Sequence, residues 1–122
     1  FTQFSNSKEF INRYKAVENA VENASKNPVA VKTLVAGLKD PYFRVRMKAL
    51  SGLDLSKPDQ AKLALSEVEK LAANDPKTLV QGAAIATLAK TKDKKYLPLF
   101  EKGMNAVSNS VKGNSFSGIA SV

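Results

Sequence analysis

The sequence contains no cysteine, no histidine and no tryptophan. Without Cys or His, the usual zinc and copper ligand sets, catalytic triads, thiol nucleophiles and imidazole acid/base chemistry have no residues to be built from. Catalysis within this chain would have to rest on carboxylates, Lys or Tyr. The absence of Cys also leaves the redox compartment open. No apolar run approaches the roughly 18 to 20 residues that a membrane span requires, and nothing reads as a signal peptide. Aromatics are sparse at 7%. What is present, 43% hydrophobic and 25% charged residues in 122, suffices for one folded domain with a real core. The chain starts at Phe1 and ends at Val122 within a helix-like stretch, which predicts a piece of a longer protein.

The charge is one-sided. Nineteen Lys and Arg stand against eleven Asp and Glu, a net charge of +8. Basic domains invite a nucleic-acid reading. However, only Arg13, Arg44 and Arg46 are arginines, and bidentate phosphate or guanine recognition favours Arg. Scarce aromatics also leave little for base stacking. A lysine-rich solvated surface is the expectation, with no membrane partner, and nucleic acid ranks last among partners.

Helix punctuation is legible along the chain. Asn27-Pro28, Asp40-Pro41 and Asp75-Pro76 each pair an N-cap acceptor with a residue that loses nothing by lacking an N–H, so each marks a helix start. Asn6 with Glu9 and Ser56 with Asp59 have capping-box spacing. Ala61, Ala64, Leu65, Val68, Leu71 and Ala72 recur at helical period, as do Phe10, Tyr14, Val17, Val21 and Ala24. Period-2 alternation is absent. These signals predict helices near 7–24, 28–38, 41–53, 58–73, 76–90, 94–108 and 111–122, an all-α chain.

The chain also repeats itself. Asp40-Pro41, Val45-Arg46, Ala49 and Leu53 return as Asp75-Pro76, Val80-Gln81, Ala84 and Leu88, 35 residues later. A weaker echo is Val111-Lys112, Ser115 and Ile119, and an upstream one is Arg13, Ala16 and Ala20. Helical pairs at this period cannot bury their apolar faces alone, so neighbours must stack and share one core. The expected fold is an α-solenoid of about seven helices, one domain over 1–122 with units near 1–24, 28–53, 58–90 and 94–122. Small residues at the repeat position permit close helix approach. Gly52 and Gly82, read as helix-interior glycines, each cost about 1 kcal/mol against Ala and so imply tight packing.

Asp-Pro, Val-Arg, Ala and Leu on a second helix resemble the signature of HEAT repeats, and Asp40, Pro41, Val45, Arg46, Ala49 and Leu53 match it in full. The resemblance implies that Arg46, and Arg13 one repeat earlier, bond a neighbouring repeat's aspartate, Asp40 or Asp75. Two stretches, FINRYKAVENAVE (10–22) and KDPYFRVRMKAL (39–50), with KYLPLFEKGMNAVSNSVKG (95–113), also resemble the C-terminal helical region of bacterial zinc aminopeptidases of the aminopeptidase N family. That resemblance implies a parent metallopeptidase holding one zinc through H-E-x-x-H and a downstream Glu. None of those ligands lies here, so no catalytic residue, metal ligand or cofactor is expected in this chain. Its implied role is to pack on the parent's catalytic domain and shape peptide access, with a positive surface favouring the peptide's C-terminal carboxylate.

Candidate interaction residues are Tyr42 and Phe43, one of them expected in the core and the other exposed, and the loop cations Lys92, Lys94 and Lys95. Glu67 and Glu69 stand two apart, on different faces of a helix, which is poor geometry for a catalytic pair. The rival reading is a free-standing scaffold of this repeat type that binds protein or nucleic acid, since a solenoid fold does not choose among functions.

Overall fold

A computed structural model describes residues 10–24, 27–104 and 109–121. Among them are seven α-helices and no strand: α1 (Phe10–Asn23), α2 (Pro28–Gly37), α3 (Phe43–Ser51), α4 (Pro58–Asn74), α5 (Thr78–Ala89), α6 (Leu97–Gly103) and α7 (Asn109–Ser121). A 3₁₀ turn over Lys94–Tyr96 leads into α6. The chain is the all-α solenoid that its repeat predicts. Within the hairpins, α2 packs on α3, α4 on α5 and α6 on α7. Between hairpins, α1 packs on α3, α3 on α5 and α5 on α7, forming one layer, while α2 lies on α4 in the other.

The amphipathic stripes account for this stacking. Leu34 and Leu38 of the first hairpin, Val68 of the second and Phe100 of the third are buried, and so are Val45, Leu53, Val80 and Leu88. All belong to one continuous cluster that runs through the repeats. Each such side chain contributes on the order of 2 kcal/mol by leaving water. Ala16, Ala49, Ala84 and Ser115, the small repeat residues, are also buried.

Several helix starts differ from expectation. Asn27 does cap α2: its Oδ1 accepts the Val29 N–H at 2.9 Å, with Pro28 in the first turn. The Asp-Pro pairs behave otherwise, because α3 and α5 begin at Phe43 and Thr78, two residues past Pro41 and Pro76. Asp40 Oδ1 accepts the Tyr42 N–H at 2.9 Å and Asp75 Oδ1 accepts the Lys77 N–H at 2.8 Å. A carboxylate bound to the amide two residues on closes a turn of its own, so these prolines sit in the turn rather than the helix.

The start of α4 also departs from the sequence reading. Ser56 and Asp59 form no capping box. Instead Gln60 Oε1 accepts the Asp54 N–H at 2.8 Å, and Asp54 Oδ1 accepts the Ser56 amide and hydroxyl at 3.0 and 2.5 Å. The pair Asn6 and Glu9 lies outside the described residues. The helix expected over 94–108 opens as the 3₁₀ turn and runs as α6 to Gly103, and its residues 105–108 lie outside the described residues.

Gly52 is the C-cap of α3, not an interior residue, with φ −95°. The tightness inferred there is present all the same: a Cβ would lie 2.6 Å from Val21 Cγ2 and 3.2 Å from Leu34 Cδ1. α1 therefore approaches the end of α3 through the gap that glycine leaves. Gly82 is buried within α5.

Candidate functional site

Two sets of side chains stand out, one joining the repeats and one facing outward. The first is an arginine–aspartate ladder. Arg13 Nε lies 2.6 Å and Nη2 3.3 Å from the Asp40 carboxylate. One repeat on, Arg46 donates from Nε and Nη2 to Asp75 at 2.9 and 3.1 Å, and from Nη1 to the Asp40 and Pro41 carbonyls at 2.9 and 3.1 Å. Each aspartate thus accepts its own turn's amide and a neighbour's guanidinium. Bidentate geometry suits Arg and not Lys. The third copy has Gln81 at the arginine position, so the rung's cation is missing there. A shallow depression of about 360 Å³ follows this edge, but its Arg46, Asp40 and Asp75 already satisfy one another.

The second set is a groove of about 640 Å³ on the outer side of the α1/α3/α5 layer. Val45 and Ala49 of α3 turn into the core, which leaves Arg44, Met47, Lys48 and Ser51 along the opposite stripe as the groove's floor. Ile11 and Tyr14 of α1 form one wall, and Leu79 of α5 stands on the other. Tyr42 and Phe43 close one end. Ile11 and Leu79 remain 50% and 49% exposed, an apolar rim that the fold itself does not cover.

Tyr42 and Phe43 are both half-buried and pack against the core cluster, so neither is the exposed residue that was expected of one of them. Their rings meet edge to face, with centroids 5.5 Å apart and planes at 81°. Arg44 Cζ stands 5.7 Å and Lys77 Nζ 4.5 Å from the Phe43 ring centroid. Cations at such distances are held by the ring's quadrupole. Among the described residues, no acidic side chain lines the groove. Among the described residues, Arg44, Lys48 and Lys77 form no ion pair with a carboxylate.

The remaining sequence candidates lie elsewhere. Lys92, Lys94 and Lys95 are exposed after α5, line no part of the groove, and Lys92 holds a left-handed φ of 54°. Lys95 Nζ covers the Tyr96 ring at 5.1 Å. Glu67 pairs with Lys70 at 3.4 Å and Lys39 at 3.8 Å, whereas Glu69 accepts the Tyr96 hydroxyl at 2.9 Å. The two carboxylates thus serve different faces. Burial, with the Glu69 hydrogen bond and charge, pushes the Tyr96 phenol well above its ordinary range. The Ser56 hydroxyl and amide hold the Asp54 carboxyl below its own.

Sequence reasoning passed over Ile11, Tyr14, Arg44, Met47, Lys48 and Leu79 as site residues. Ile11 and Leu79 carried a signal, since each is a large apolar residue beside the buried stripe of its helix. Arg44 carried another, as the one arginine outside the repeat pattern.

No curated protein and no solved structure matches the chain. The family model described as HEAT repeats matches residues 31–115, most of the solenoid whose ladder and groove are described above. The chain belongs to the HEAT-repeat family.

Proposed function

We propose that this chain is a non-catalytic scaffold whose α1/α3/α5 face holds a polypeptide partner. The observation that carries this reading is the groove, an apolar trough with half-exposed Ile11 and Leu79 on its walls and uncommitted cations along it. Contiguous apolar surface rimmed by polar groups marks an interaction site. With neither His nor Cys in the chain, its work is steric and electrostatic, and it needs no cofactor of its own.

The finer form of the proposal names the partner as the catalytic domain of a parent zinc aminopeptidase, with zinc held in that domain and the peptide's C-terminus near this surface. It rests on the resemblance carried by residues 10–22 and 39–50. Those two stretches supply Ile11, Tyr14, Tyr42, Phe43, Arg44, Met47 and Lys48, almost the whole groove. Reading the coding sequence upstream of Phe1 tests the parentage. An H-E-x-x-H helix with a downstream Glu supports it, and its absence removes the peptidase and leaves the scaffold. Where that domain exists, Leu79→Asp should abolish its association with this chain without lowering Tm; undiminished association would overturn the groove as the contact.

A further inference from the structure

From the groove's charge and shape, we infer that the occupant is an acidic amphipathic helix of a protein partner. The inference rests on the scaffold reading and adds the partner's chemistry. The floor is the outward stripe of α3 from Arg44 to Ser51, which at the helical rise is about 10 Å long, two turns of a partner helix. A helix seated there presents apolar residues at i, i+3, i+4 and i+7. Those side chains meet Met47 on the floor, Ile11, Tyr14 and Leu79 on the walls and Tyr42 and Phe43 at the closed end.

Among the described residues, every charged side chain that this helix meets is positive. Among these residues, Arg44 and Lys48 line the groove and Lys77 caps the Phe43 ring, none with a carboxylate partner, and no acidic side chain lines the trough. The contrast with the other two arginines is instructive. Arg13 and Arg46 are spent on Asp40 and Asp75, whereas Arg44 turns to solvent with its guanidinium against Phe43. Its planar fork is thereby oriented before any partner arrives, which lowers the entropy lost on pairing with a carboxylate.

Other occupants fit less well. A second copy brings another chain of net charge +8 against the same cations. Nucleic acid offers phosphate to Arg44 and Lys48 but gains nothing from Ile11, Met47 and Leu79, which make up much of the walls and floor.

The test uses the whole chain and four labelled probes. The first is a helical peptide with leucines at i, i+3, i+4 and i+7 and glutamates on its flanks. The second replaces the glutamates with lysines, the third replaces the leucines with alanines, and the fourth is a single-stranded oligonucleotide. Fluorescence anisotropy at low salt should show the Glu-flanked peptide binding at least about tenfold tighter than its Lys-flanked twin, with the alanine peptide failing to bind. Arg44→Glu with Lys48→Glu should reverse the charge preference. Lys92→Glu with Lys94→Glu, the same charge change away from the groove, should leave it intact. Equal binding of Glu- and Lys-flanked peptides overturns the acidic partner and keeps the scaffold. No binding of either at millimolar concentration overturns both. Tightest binding of the oligonucleotide, or dimerisation that competes with the peptide, overturns the inference in favour of that occupant.

Discussion

Arg46 on α3 is bound by the turns that open two successive repeats, its Nε 2.9 Å from Asp75 Oδ2 and its Nη1 2.9 Å from the Asp40 carbonyl oxygen. With side chains only 12% and 2% exposed, the pair is largely shielded from water. Removing the cation strands a buried carboxylate and the part-buried Asp40 carbonyl, and breaking such a pair costs far more than a surface ion pair is worth. Arg46→Ala is expected to destabilise the fold by about 1 to 3 kcal/mol. Urea denaturation checks it, and a transition unchanged within error would refute the ladder's role. Arg46→Lys should recover little, since one ammonium cannot reproduce the fork.

That ladder was legible through the resemblance to HEAT repeats, which implied the pairing, and its spacing agrees. Arg13 and Arg46 stand 33 residues apart and Asp40 and Asp75 stand 35 apart, so a repeat at that spacing brings each arginine to the next turn. The burial of Val45, Ala49, Val80 and Ala84 follows from the same period. Turn chemistry was harder to read. Asp40 and Asp75 close turns before their helices where Asn27 caps its helix directly, although all three read alike as Asx-Pro. The groove was largely illegible: Ile11, Phe43 and Leu79 belong to three helices, and only the stacking of α1, α3 and α5 makes them neighbours.

Tyr96 gives the fold an alkaline limit. Its hydroxyl donates to Glu69 at 2.9 Å from a buried ring, and burial first, then the Glu69 hydrogen bond and charge, raises the phenol's pKa. A group whose folded pKa lies above its unfolded value stabilises fully below the unfolded value, near 10 for tyrosine, and loses that contribution as pH rises past it. The stability advantage of the native chain over Tyr96→Phe should therefore shrink between about pH 9 and 11. Urea midpoints of both proteins across that range check it, and a constant difference would contradict it.

Asp54 acts at the acid end. Its carboxylate accepts the Ser56 hydroxyl and amide ahead of α4, and these bonds lower its pKa. A depressed folded pKa means that the stabilisation is present above the unfolded value and is lost as pH falls through the folded one. Asp54→Asn should flatten part of the loss of stability on acidification below about pH 4. Parallel acid titrations followed by circular dichroism measure it. Superimposable curves would show that the turn adds nothing to α4.

Asn27 supplies the simplest cap to test, because only one bond is at stake. Its Oδ1 accepts the Val29 amide at 2.9 Å, one of the four donors that a helix start leaves unpaired. Asn27→Ala should cost about 1 kcal/mol and Asn27→Asp should cost little or nothing. Thermal melts of the two variants separate loss of the cap from a change of side chain. Equal losses in both would remove the capping role.

The α6/α7 crossing depends on Gly103 and Ser115 together. A Cβ on Gly103 would collide with Ser115 Oγ and lie 2.8 Å from Ser115 Cβ, so α6 approaches α7 through the absence of a side chain. Ser115 itself is fully buried, and its Oγ has no hydrogen-bond partner among the described residues. A buried hydroxyl that lacks a partner costs free energy that a methyl group does not. Ser115→Ala is thus expected to stabilise the chain by about 1 kcal/mol. Gly103→Ala should destabilise it by about 1 to 3 kcal/mol through overpacking. The double variant Gly103→Ala with Ser115→Gly should recover part of that loss, because the atoms that collide are gone. Denaturation of the native chain, Gly103→Ala, Ser115→Gly and the double variant forms a double-mutant cycle; strict additivity would show that the two residues do not meet, and the close crossing would have to be abandoned.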